Sequence, residues 1–318
     1  MSLLLLGIPI GVVLLYLGAE WTVSGAKDLA LRLGVTPFVV GLTVVAFGSS
    51  SPETVTALVS GDNPEIIIGN IVGSNILNIG LAVGLMAVLA PIACVYKMVR
   101  FEIVAMLVAV TAISVLSLNG SLGTLQGAIL IVTFSMFLAL VYLLKKDSGE
   151  STAPGEAPAL GMSTAKCVVF VAIGICVLYI GARGFVGGAV ELAGMLGVSD
   201  LLIGLVIVAV GTGLPELCIS LVATRRHENE LVVSNVVGSI VFNSLFALGI
   251  GTVFFTVPIN HYMLVFHMPV MILMAIALAA MIRLGNRVGR VGGAALAAAY
   301  ITYVCLTVTF PELTWGAS

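Results

Sequence analysis

The sequence predicts an all-α integral membrane protein with about ten transmembrane helices in two inverted five-helix repeats. Three observations carry that expectation: an apolar composition with few charges, a succession of long hydrophobic stretches, and a segment that occurs twice.

Composition comes first. Of the 318 residues, 60% are hydrophobic and 9% are charged, and the mean hydropathy is +1.22. A water-soluble domain carries about a quarter charged residues to cover its surface. This chain cannot do that, so its exterior must face lipid and the bilayer is its first partner. The net charge of −2 argues against nucleic acid as a partner. The five cysteines, Cys94, Cys167, Cys176, Cys218 and Cys305, lie in apolar stretches, with no CxxC pair and no histidine at metal-ligand spacing. They read as small buried hydrophobes. The opening MSLLLLGIPIGVVLLYLG lacks the basic region of a cleaved signal and reads as a retained first span.

A helix needs about 20 mostly apolar residues to cross the hydrocarbon core. By that measure the spans fall near 3–25, 36–60, 64–91, 99–118, 122–145, 165–189, 199–223, 229–257, 261–283 and 290–310. One evident linker, rich in Lys, Ser, Gly, Pro and Glu, runs from Lys145 to Ser163. It divides the chain into a first repeat over 1–145, a linker over 146–163 and a second repeat over 164–318. Basic residues gather in cytoplasmic loops. Lys27, Arg32, Lys97, Arg100, Lys145, Lys146, Lys166, Arg225, Arg226, Arg283, Arg287 and Arg290 all fall on one face if the N-terminus is outside. Only Arg183 does not.

The repeat is strong. Gly18 to Glu53 reads GAEWTVSGAKDLALRLGVTPFVVGLTVVAFGSSSPE, and Gly181 to Glu216 reads GARGFVGGAVELAGMLGVSDLLIGLVIVAVGTGLPE. The two align without a gap at roughly half identical positions, beyond what shared apolar composition gives. The match resumes with GNIVGSNILN (Gly69–Asn78) against SNVVGSIVFN (Ser234–Asn243). With five spans per half, the second half enters from the opposite side, and Lys27 and Arg32 accordingly align with Val190 and Met195. Inverted repeats with interrupted helices near the midplane characterise secondary transporters.

The repeated segments carry the chemistry. Span two contains Gly48-Ser49-Ser50-Ser51-Pro52-Glu53, and span seven contains Gly211-Thr212-Gly213-Leu214-Pro215-Glu216. Proline within a helix removes a hydrogen bond to the carbonyl four residues back, so Pro52 is expected to release the Gly48 carbonyl and Pro215 that of Gly211. Released carbonyls in a membrane need a partner, and a dehydrated cation supplies one. A charge at mid-bilayer costs about 2.5–3.5 kcal/mol even on the lenient insertion scale. Glu53 and Glu216 are the acidic residues placed deep in spans, whereas Asp28, Glu102 and Glu191 fall near span ends, where a carboxylate is expected to be hydrated. Two carboxylates at one site raise each other's affinity for protons and cations. Hydroxyl, amide and backbone oxygens complete an all-oxygen set suited to Ca²⁺ or Na⁺ rather than zinc or copper. In the second motif Ser74 and Asn78, and Ser239 and Asn243, are four residues apart and share a helix face. Gly73 and Gly238 beside them suit close helix packing equally well.

Other features are discounted: His227 as a solvated loop residue, His261 as interfacial, His267 as a satisfied polar residue near a span end, and the methionines of span nine as lipid-facing or core. An intramembrane hydrolase using a hydroxyl of Ser49–Ser51 lacks a base at comparable depth, so the chain is not expected to be an enzyme. A passive channel is disfavoured by a tight site with two carboxylates.

At these segments the sequence resembles the calcium/cation antiporter superfamily, in particular prokaryotic sodium/calcium exchangers. The resemblance covers essentially the whole chain and rests on the paired G-[ST]-S-x-P-E cores and the following G-N-x-x-G-S-N. It implies exchange of Ca²⁺ for Na⁺ by alternating access at a midplane site, with H⁺ as the alternative coupling ion and no resident cofactor. It further implies Glu53 and Glu216 as central carboxylates, and Ser49, Ser50 and Thr212 as hydroxyl ligands. Ala46 and Ala209 become backbone-carbonyl ligands, Ser74 and Ser239 hydroxyls on facing helices, and Asn78 a central amide. Asn243 takes the place where many sodium/calcium exchangers have aspartate, and Gly213 the place where serine is usual. By the same analogy spans one and six slide as a gate. The expected setting is the inner membrane of a prokaryote, N-terminus outside, with linker and basic loops cytoplasmic; small inorganic cations are the expected partners and the oligomeric state is open.

Overall fold

Long apolar stretches fold as helices because their N–H and C=O groups find no other partners in hydrocarbon. The structure, a computed structural model, describes residues 3–59, 63–146, 163–196 and 209–310. Among these residues nine helices are long and apolar enough to cross a membrane. They are Gly7–Leu33, Pro37–Leu58, Glu65–Leu89, Tyr96–Asn119, Thr124–Val141, Thr164–Met195, Asn229–Phe254, Met263–Gly285 and Arg290–Thr309, hence spans one to six and eight to ten. Span seven, expected over 199–223, begins outside the described residues; its later part is helical over Ala209–Thr212 and Leu214–Arg225. The linker, apart from its ends at Lys145, Lys146 and Ser163, also lies outside them. Span one runs to Leu33, eight residues past the expected end at 25, and stops where Gly34 turns left-handed at φ 66°.

Among the described residues four two-residue strands, β1 (Ile92–Ala93), β2 (Ser121–Leu122), β3 (Val257–Pro258) and β4 (Arg287–Val288), close loops. β1 pairs antiparallel with β4, and β2 with β3. Paired loops lie on one side of a bilayer, so an even number of crossings must separate them. Between Leu122 and Val257 the nine long helices supply only spans five, six and eight. The short helices Ala209–Thr212 and Leu214–Arg225 lie between spans six and eight, where the sequence places span seven. The two ribbons are built alike. Asn286, at φ 48°, accepts the Cys94 N–H with its carbonyl (2.9 Å) and the Tyr96 N–H with its Oδ1 (2.8 Å), ending span nine and starting span four. In the other ribbon Gly120, at φ 80°, accepts the Ile259 N–H at 2.9 Å. Glycine and asparagine are the residues that tolerate this left-handed backbone.

The chain packs as two units, Met1–Ser49 with Gly149–Asn235, and Ser50–Ser148 with Val236–Ser318. Each unit takes segments from both halves of the sequence, so the packing units and the linear repeats are different partitions.

In the first unit span one lies along span six through small residues. A Cβ on Gly11 would come within 2.7 Å of the Gly181 carbonyl oxygen, and one on Gly18 within 2.7 Å of the Gly174 oxygen, while Gly7 faces Gly184. The register runs in opposite directions, so these repeat-equivalent spans are antiparallel, as inversion demands. Backbones this close gain their contact from small residues, as membrane helix pairs do. Beyond this seam Lys27 pairs with Glu228 at 2.7 Å, and the Arg226 guanidinium donates to Ser24 Oγ (2.6 Å) and to Glu20. Span one is thereby tied to the loop after span seven, and both carry basic residues on one face, as the charge pattern predicts.

In the second unit spans three and eight are the most enclosed helices. Phe134, Phe242 and Phe246 pack edge-on or tilted with centroids 5.0–5.7 Å apart and join span five to span eight. Met268, Met271 and Met274 are core residues, and buried His267 shares a 2.9 Å hydrogen bond with Tyr303 Oη, as a satisfied polar residue should.

Two expectations fail. Asp28 and Glu102 are fully buried rather than hydrated, because span one continues past Asp28 and Glu102 stands nearly two turns inside span four. Cys176 and Cys305 are exposed, and only Cys94 and Cys167 are buried. A small thiol on the outward face of a span meets lipid at no cost.

Candidate cation site

Both motif-bearing spans are broken, and the break sets the site. Span two passes through a π turn over Gly41–Val45, resumes over Ala46–Ser49, and restarts over Ser51–Val59. The interruption falls at Ser50; in span seven it falls at Gly213. Pro52 and Pro215 thus stand second in a new helix instead of inside a continuous one, which corrects the expected geometry. The reason is local: proline has no N–H to donate, and a first turn asks for none. Both restarted helices carry their glutamate, Glu53 or Glu216, in the first turn. A helix N-terminus favours negative charge there.

In the second unit Glu53 is 1% exposed, and Ser74 Oγ donates to its Oε1 at 3.3 Å. Ser50 and Ser239 share a 2.5 Å hydrogen bond between their hydroxyls, and Asn78 Nδ2 donates to Ser239 Oγ at 3.0 Å. Ser50, Ser239 and Asn78 are thus one connected group, while Ser74 belongs with Glu53. Asn78 begins a π turn over Asn78–Val83, and Asn243 lies in its counterpart over Phe242–Ala247. Such bulges recur at functional sites because they redirect side chains. Both oxygens, Asn78 Oδ1 and Asn243 Oδ1, and also Asn243 Nδ2, are buried without a hydrogen-bond partner among the described residues. Buried polar atoms left open cost stability unless something else satisfies them.

In the first unit Glu216 is fully buried, and Ser220 follows one turn later with its buried hydroxyl unbonded among the described residues. Ser49 Oγ lies 3.4 Å from the Ala46 carbonyl and 3.5 Å from Asn235 Oδ1. One hydroxyl proton cannot serve both acceptors. With the Asn235 amide turned over, its unbonded Nδ2 would donate to Ser49, and Ser49 to Ala46. Thr212 ends its short helix half-buried, and Ala209 begins it, with a side chain outside the described set. Gly213 sits at the break with no hydroxyl to offer.

Asn235 and Asn75 join these groups without having been singled out from sequence. A signal existed for Asn235, since GNIVG and SNVVG place asparagine at the same repeat position. Asn75 is not repeated and carries no such mark. Among the described residues no three His, Cys, Asp or Glu side chains cluster. A cation here would meet hydroxyl, amide and single carboxylate oxygens, donors suited to hard ions.

Repeated, interrupted, buried helices bearing carboxylates define a polytopic membrane transporter. Similarity to known proteins specifies it further. The sodium/calcium exchanger protein family model matches residues 3–143 and 166–309. CaxA of Alkalimonas amylolytica is 36% identical over 309 residues, spanning 92% of this chain and 95% of its own. The sodium/calcium exchanger MaX1 of Methanosarcina acetivorans is 29% identical over 334 residues, spanning 93% and 95%. A structure of the sodium-calcium exchanger NCX_Mj, soaked with zero Na⁺ and Ca²⁺, matches with TM-score 0.83 at 33% identity, covering 98% of this chain and 99% of that one. The chain belongs to the sodium/calcium exchanger family, a family of transporters whose activity class is calcium/cation antiport.

Proposed function

We propose that this protein exchanges Ca²⁺ for Na⁺ by alternating access, with Glu53 and Glu216 supplying the negative charge that compensates the transported ions. The observation that carries this reading is the burial of both glutamates, each in the first turn of a restarted helix. An ionised carboxylate held out of water needs a cation or a proton. Ser49, Ser50, Thr212, Ser74, Ser239, Asn78 and Asn243 add neutral oxygens, and Ala46 and Ala209 add backbone carbonyls. Neutral oxygens around few charges suit exchange of one Ca²⁺ for several Na⁺. The transported ions are its small-molecule partners, and no resident cofactor takes part.

Spans one and six move as one body on this reading, because their glycine seam brings backbone against backbone along most of span one. The protein works in the cell membrane of a prokaryote, N-terminus outside, with its basic loops in the cytoplasm.

The test is ⁴⁵Ca²⁺ uptake into proteoliposomes containing the purified protein, driven in turn by an outward Na⁺ gradient and by a pH gradient. Uptake with the Na⁺ gradient alone is expected. Uptake with the pH gradient alone would make the coupling ion H⁺, and uptake with neither would remove calcium as substrate.

A further inference from the structure

We propose that Asn75 is a positioning residue of the cation site, acting through Ser244 to set the direction of Asn243. The inference rests on the reading of Asn78 and Asn243 as cation ligands.

Asn75 stands in span three beside Ser74 and is fully buried. Its Nδ2 donates to Ser244 Oγ at 2.9 Å and lies 3.6 Å from Met271 Sδ, a weak acceptor. Ser244, also fully buried, is the residue after Asn243 within the π turn Phe242–Ala247. A π turn accommodates an extra residue, and the direction of its side chains depends on where that residue sits. Asn75 therefore grips the turn one residue from the candidate ligand.

Asn243 has no hold of its own. Neither of its amide atoms has a hydrogen-bond partner among the described residues. Its repeat counterpart Asn78 differs, since Asn78 Nδ2 donates directly to Ser239 Oγ at 3.0 Å. The clasp also occurs once only: the counterpart of Asn75 is Ile240, and that of Ser244 is Ile79. One amide is thus fixed by its own hydrogen bond, the other through the backbone of its neighbour. Residues that orient ligands without touching the ion commonly change metal affinity by about 10- to 100-fold when lost.

The experiment measures the Na⁺ dependence of ⁴⁵Ca²⁺ uptake, and the melting temperature, for Asn75→Ala, Ser244→Ala, the double variant, the exchanged pair Asn75→Ser with Ser244→Asn, and Asn243→Ala. Ser244→Ala removes a single oxygen and is the variant surest to fold. Each single change at the clasp is expected to raise half-saturating Na⁺ about tenfold. The double variant should be no worse than either single, and the exchanged pair should recover toward wild type. A merely structural clasp would lower the melting temperature while leaving half-saturating Na⁺ in place. Unchanged Na⁺ dependence in Asn75→Ala and Ser244→Ala, with a shift in Asn243→Ala, overturns the positioning role. No shift in Asn243→Ala removes Asn243 as a ligand, and the positioning role falls with it.

Discussion

At the break in span two the chain offers Ser49, Ser50 and Ser51 before Glu53; at the break in span seven it offers Thr212, Gly213 and Leu214 before Glu216. The backbone treats both alike, with a short helix, a one-residue interruption and a restarted helix bearing proline second and glutamate in its first turn. The side chains do not. Ser50 shares a hydrogen bond with Ser239, whereas Gly213 has nothing to share. Asn78 is tied to Ser239, whereas neither amide atom of Asn243 is bonded among the described residues. Inverted repeats need a common backbone so that the halves can exchange conformations, yet they leave each half to choose its own oxygens. What the two copies share is the backbone device; what they do not share is the set of side-chain oxygens around it.

Mutations separate what the two copies share from what they do not. The largest effect belongs to the shared element: Glu53→Gln and Glu216→Gln should each abolish Na⁺-driven ⁴⁵Ca²⁺ uptake while the protein still inserts and can be purified. Next is a charge that neither copy carries at the paired asparagines. Asn243→Asp adds a buried carboxylate, at a cost of about 2.5–3.5 kcal/mol if it stays ionised without a partner. Its melting temperature should rise steeply with Na⁺, and its transport should show a steeper Na⁺ dependence than wild type. Equal melting behaviour with and without Na⁺ would place Asn243 away from the ions. A smaller change is expected from Gly213→Ser. One hydrogen bond contributes about 0.5–1.5 kcal/mol, so Na⁺ affinity should improve by about 2- to 10-fold. Smallest of all is Glu228→Gln. Its pair with Lys27 is partly solvated, contributes less than about 1 kcal/mol, and should leave ion affinities where they are.

Much of this was legible in the sequence because the bilayer restricts the choices. Spans must be long and apolar, so their number could be counted, although span one outran its expected end by two turns. The repeat was visible because both copies kept Gly, Pro and Glu at backbone-critical positions. The glutamates stood out by the cost of burying them. Other features left no mark. A two-residue strand such as Ile92–Ala93 carries no periodicity, so the ribbons that fix loop pairing could not be foreseen. The π turns at Asn78 and Phe242 arise from packing, not from local propensity. Burial of Asp28 and Glu102 depends on what covers them, which a hydropathy window does not register. Asn235 could have been found, since the repeat marks it. Asn75 could not, because only its neighbours in space show what it holds.

Competition between Ca²⁺ and Na⁺, on which the proposed exchange depends, can be read from equilibrium ⁴⁵Ca²⁺ binding to the purified protein, titrated with Na⁺ against a choline control. Competitive release of Ca²⁺ by Na⁺ is expected in the wild type, with no specific binding in Glu53→Gln. Calcium that stays bound in saturating Na⁺, or binds Glu53→Gln as it does the wild type, would contradict the account.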